Sequence, residues 1–297
     1  MQAEKDIDEP GQPKVVLRIT LNLDSPFGQL QRAVMRMVDL VSFGLSAAEQ
    51  TELAEPPRLP DVFLQLQLGS RPPVEKLPAE FGIWILGSGL RDMIEALEPF
   101  LEEVWKISWA LKAQTGGPDG PKTKDEILEI LQDLDKGHAE FREFPVAKKL
   151  SRLLEEEPTL LTREEKIAFF SIIGLRNCLV HRRGVVGNRD CDAEGGMAVT
   201  WLETKVLIEY EDGSTEPLYA GMVTEREGMM ILRRSWKETK HRLGDQVHFD
   251  TQDFTDIALT LFLGAMHMRE AFLEKIKALS IEIAPPQQAN QAGDTSE

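Results

Sequence analysis

The sequence predicts a mainly α (α+β) fold: a helical bundle with a small β-meander insert, preceded by an N-terminal α/β extension. Three observations predict it. Apolar residues recur at helical spacing through much of residues 93–182 and again over 254–279. The period falls to two between Val199 and Arg234, with Asp212-Gly213 as a turn. Before residue 79, two strand-like runs flank one helical run.

Residues 1–13 are polar and acidic, hold Pro10 and Pro13, and read as a disordered arm. Val15–Leu23 reads as a strand. Phe27–Ala48 places Leu30, Val34, Met37, Val38 and Val41 on a helical stripe. A second strand, Val62–Leu68, lies between Pro60 and Gly69-Ser70, and Arg71–Glu80 reads as an exit linker. These elements form an expected unit over 14–78. The helical domain is expected over 79–283. Gly82–Gly89 reads as a helix break, and Met93, Ile94, Leu97, Leu101, Val104, Ile107 and Leu111 follow as one stripe, with Pro99 as a kink or fresh first turn. After a Gly/Pro-rich loop at Gly116–Lys122 come a short helix through Ile127–Leu134 and another over Val146–Glu156. Thr162-Arg-Glu-Glu165 is a capping box, opening a helix that Gly184 should stop. The insert, about 197–235, reads as a three-stranded meander of Val199–Tyr210, Leu218–Val223 and Met229–Arg234. Asp250 caps a last helix carrying Phe254, Leu261, Met268, Phe272 and Ile276. Residues 284–297 read as a disordered tail.

Composition removes several classes of function. With 34 basic and 50 acidic residues the net charge is −16, which repels a polyanion at long range and argues against a general nucleic-acid coat protein. Cys178 and Cys191 make no disulfide framework, no C-x-x-C occurs, and His138, His241, His248 and His267 are scattered, so no metal site is expected. No cofactor is expected either. There is no G-K-[ST], and Asp92 stands where a dinucleotide fingerprint after Gly87-Ser-Gly89 needs its third glycine. Neither G-x-S-x-G nor H-E-x-x-H occurs. The N-terminus lacks a basic-then-apolar leader, and no apolar run nears the roughly 18 residues of a membrane span. A cytoplasmic protein without membrane contact is the expectation. The five tryptophans could stack bases, though Trp105 and Trp109, four apart, read as core.

Chemistry concentrates in Gly174–Gly187. Asn177 and His181 are four apart on a helix and share a face, and Arg176 can swing its long side chain towards them. Arg182, Arg183 and Arg189 follow, so 176–189 holds four arginines and no acid. That is the anion-facing place in an acidic chain, and it nominates Arg182, Arg183 and Arg189 as RNA-phosphate contacts. Such a set suits RNA cleavage without a metal. Histidine as a residue type exchanges protons near neutral pH, arginine neutralises charge on a phosphorane, and asparagine orients either. One histidine does not easily act as acid and base together, which argues for a homodimer joined through the Arg176–His181 helix.

Arg176-Asn177-x-x-x-His181 at a helix end, with Gly184 trailing, resembles the HEPN superfamily over roughly residues 80–282. The resemblance implies a helical bundle with an R-x4–6-H motif. It also implies a dimeric, metal-independent endoribonuclease of a toxin–antitoxin or anti-phage system, with Arg176, Asn177 and His181 catalytic. A regulatory or antitoxin protein is a further implied partner. Where toxins of this kind carry a modifiable tyrosine two residues after the histidine, this chain has Arg183. The alternative is a non-catalytic nucleotide- or RNA-binding module that uses the same helix to dimerise.

Overall fold

The computed structural model describes residues 2–6 and 14–18 as backbone, and 23–50, 73–115, 124–218, 222–223 and 226–278. It is mainly helical with a small three-stranded antiparallel sheet, an α+β fold as expected. The elements run β1 (Gln2–Asp6), β2 (Lys14–Arg18), α1 (Asp24–Gln50), a 3-10 turn (Val74–Lys76), α2 (Leu77–Thr115), α3 (Lys124–Arg142), α4 (Val146–Glu156), α5 (Arg163–Arg182), β3 (Gly196–Tyr210), β4 (Thr215–Pro217), β5 (Gly228–Arg242) and α6 (Thr251–Ala278). The described residues form two compact units: those within 1–29, 98–160 and 265–278 make one, and those within 30–97 and 161–264 make the other.

In the first unit β1 pairs antiparallel with β2, Gln2 opposite Arg18. This corrects the unstructured reading of residues 1–13 for residues 2–6, because a partner strand satisfies backbone groups that composition alone leaves to water. The second half of α2 buries Phe100, Leu101, Val104, Trp105 and Ile107. Helix α3 is longer than the short helix expected, since Phe141 near its end stacks on Trp105 at 5.2 Å between ring centroids. Lys149 of α4 is buried, and burial alone would lower its pKa. Hydrogen bonds to Glu102 at 2.9 Å and Glu98 at 3.1 Å outweigh that and hold the ammonium charged.

The second unit holds the N-terminal half of α2, most of α1, α5, the sheet and the start of α6. The expected boundary between 78 and 79 falls inside α2. The α1 residues from Leu30 onward cluster with α5's unit, not in a separate N-terminal module; the expected strand Val62–Leu68 lies outside the described residues. The break expected at Gly82–Gly89 does not occur, for a reason visible in the packing. A Cβ on Gly89 would lie 2.7 Å from Val41 Cγ2 and 2.8 Å from Phe254 Cζ, and one on Gly87 would lie 3.3 Å from Leu179 Cβ. These glycines let α1, α5 and α6 approach α2 closely, and their contacts offset the low helix propensity.

The sheet order is β4-β3-β5, which corrects the expected meander with its middle strand at the centre. Strand β5 pairs with all of β3, from Gly196 opposite Arg242 to Tyr210 opposite Gly228. The short β4, placed three residues before the expected strand, pairs only with 207–209 on the other edge. Helix side chains close the rest of that edge. Ser171 Oγ accepts from the Thr200 amide at 2.9 Å, Thr260 Oγ1 from Leu202 at 2.9 Å, and Asp256 Oδ1 from Thr204 at 3.3 Å.

Candidate active site

Helix α5 starts and stops under local control. Thr162 Oγ1 accepts from the Glu165 amide at 3.2 Å, and Glu165 accepts from the Thr162 amide at 2.8 Å, so the expected capping box is formed. At the other end the turn comes one residue earlier than expected. Arg183 takes the left-handed conformation at φ 53°, Gly184 follows at φ 74°, and the Gly184 amide donates to the Cys178 carbonyl at 3.1 Å.

The chain beyond the helix is pinned. The Val247 amide donates to the Gly184 carbonyl at 2.8 Å, Val186 to Asp245 at 3.0 Å, and Gln246 Nε2 to the Arg183 carbonyl at 3.0 Å. Arg182 forms an ion pair with Asp190, whose side chain is 3% exposed and also accepts from the Gly187 amide at 2.9 Å. The last turn of α5 is therefore tied to two loops.

On that turn the expected trio converges. Arg176 Nη1 donates to Asn177 Oδ1 at 3.1 Å and lies 3.4 Å from His181 Nε2. Arg176 Nε is buried with no hydrogen-bond partner among the described residues. His181 is exposed; Arg176 and Asn177 are half-buried. Cys178 is buried in the core, where burial pushes its thiol up to about 11 and keeps it protonated at neutral pH.

The expected phosphate contacts divide. Arg182 is committed to Asp190, which corrects its assignment; the acid-free window ended one residue before its partner. Arg183 is exposed and lines a groove of about 330 Å³ between α2 and α5, with Ile83, Trp84, Ser88 and Val180. The lining of this groove includes none of Arg176, Asn177 and His181. Arg189 is exposed, with no ion pair among the described residues. Asp190 and Gln246 are the positioning residues that periodicity missed. Asp190, adjoining Arg189, carried the one available signal.

A second feature lies on the same helix. Ile167, Phe170, Gly174, Asn177 and His181 alternate spacings of three and four, forming one stripe. Ile167 is 47% and Phe170 39% exposed, and nothing lies within 4 Å of a Cβ built on Gly174. Among the described residues no helix is long and apolar enough to cross a membrane. No protein-family model matches the sequence, and comparison with curated proteins and with solved structures gives no match.

Proposed function

We propose that this chain is a metal-independent endoribonuclease of the HEPN type, acting as a homodimer through α5. The observation that carries the reading is the cluster in which one Arg176 nitrogen serves both Asn177, at 3.1 Å, and His181, at 3.4 Å. Neutral His181 accepts the proton of a ribose 2′-hydroxyl as the 2′-oxygen bonds to phosphorus. Arg176 neutralises charge on the non-bridging oxygens, and Asn177 holds the guanidinium in line. The bond from phosphorus to the 5′-oxygen breaks, and the corresponding histidine of a second copy, in its protonated form, gives that oxygen its proton. The products are a 2′,3′-cyclic phosphate and a 5′-hydroxyl, and the two histidines reset by exchange with water.

The exposed stripe supports the dimer. It presents two large apolar residues and a glycine in register with Asn177 and His181, so a second α5 laid parallel along it brings two histidines to one place. The product ends test the chemistry. Cyclic phosphates on the 3′ side of each cut are expected, and 3′-hydroxyl ends would overturn the mechanism.

A further inference from the structure

We infer that the exposed face of β5 is a binding platform for single-stranded RNA. This inference goes beyond the cleavage reading and stands apart from it, since it concerns where a strand is held and not how it is cut.

β5 is an edge strand among the described residues, and its even-numbered side chains from Met230 to Arg242 share one face and are all exposed. Met230 is 67%, Leu232 59% and Trp236 38% exposed, an unusual concentration of apolar surface on one strand. Cations stand on both sides of the indole: Arg234 before it, Lys240 and Arg242 after it. The only acid on this side of β5 is Glu238, and the paired β3 positions, Gly196 through Ile208 by twos, carry no charge. Lys240 lies 3.6 Å from both Glu238 and Glu194, whereas Arg234 and Arg242 have no carboxylate partner among the described residues.

In a chain of net charge −16 this is a local reversal of sign, and it accompanies an exposed indole. Phosphates need the first feature and unpaired bases the second. Edge protection alone would account for the cations but not for Met230, Leu232 and Trp236. A membrane surface would favour cations gathered at one border of the apolar patch; here Arg234 stands inside the patch, between Leu232 and Trp236, and the cations extend roughly 27 Å from Arg234 to Arg242.

The test is fluorescence anisotropy with a 2′-O-methyl oligouridine of about twelve nucleotides, which offers bases and phosphates but no nucleophile for cleavage. Trp236→Ala should weaken binding about tenfold, and Trp236→Phe should restore most of it, because a ring is what stacks. Arg234→Ala and Arg242→Ala should each flatten the salt dependence by roughly one phosphate contact. Unchanged affinity in Trp236→Ala and Arg234→Ala, with unchanged thermal unfolding, would overturn the platform. So would binding lost only in Arg176→Ala, which would place the strand at α5. Binding of the chain to phosphatidylserine vesicles or an acidic peptide through Trp236, with none to the oligonucleotide, would also overturn it.

Discussion

Asn177 accepts from Arg176 while standing on the half-exposed side of α5, so its replacement separates orientation from packing. Asn177→Ala should lower cleavage about 10²-fold by misaligning the guanidinium, with the unfolding temperature unchanged. A matching loss of stability would make the residue structural. Arg183 holds a left-handed φ of 53°, a conformation that costs a residue with a Cβ roughly 1–2 kcal/mol relative to glycine. Arg183→Gly should therefore raise the unfolding midpoint in urea while weakening RNA retention in the α2–α5 groove. Asp256 supplies a pH test. Burial raises its pKa despite hydrogen bonds from Gln252 and Thr204. Because the folded value lies above the unfolded one, its contribution to stability is complete in acid and is lost as pH rises through the folded value. Asp256→Asn should thus be more stable than the parent at pH 8, with the difference closing in acid. Urea midpoints across pH check this, and a pH-independent difference would contradict it. Arg176, Asn177 and His181 were legible because helical spacing is a local rule. Asp190, Gln246 and Asp256 were not, because each acts on a segment that only the folded chain brings near.

Helix glycines show how an element's meaning depends on what it meets. Gly264 of α6 lies against the Phe169 ring, so Gly264→Ala should destabilise by about 1–3 kcal/mol through overpacking. Gly174 of α5 has open space, so Gly174→Ala should stabilise the protomer by about 1 kcal/mol through helix propensity. Thermal unfolding of the two variants should shift in opposite directions; shifts of the same sign would contradict the packing account. The same ambiguity explains what the sequence showed and hid. Helix α4, the Thr162 capping box and the Asp250 cap, whose Oδ1 accepts from the Asp253 amide at 2.8 Å, were readable from neighbouring residues alone. Gly82–Gly89 misled, since glycine marks both helix breaks and close helix crossings. The strand order was hidden because Ser171, Thr260 and Asp256 close an edge of β3 from distant helices.

Taken as a whole molecule, the chain carries a net charge of −16, so the proposed reading requires RNA to be gathered at few places and held against a repelling background. Raising salt should weaken local contacts and screen that repulsion together, which makes assembly the cleaner global test. Phe170→Glu puts a charge on the exposed stripe of α5 without touching the core. It should turn dimers into monomers by light scattering and abolish cleavage with Arg176, Asn177 and His181 intact; full activity in a monomer would remove the composite site. The most direct measurement is cleavage of a mixed RNA pool in excess EDTA by the parent, Arg176→Ala and His181→Ala proteins. The account predicts cutting by the parent and a loss of about 10²–10⁴-fold in each variant, all three unfolding at similar temperatures. An inactive parent, or variants that cut as fast as the parent, would contradict it.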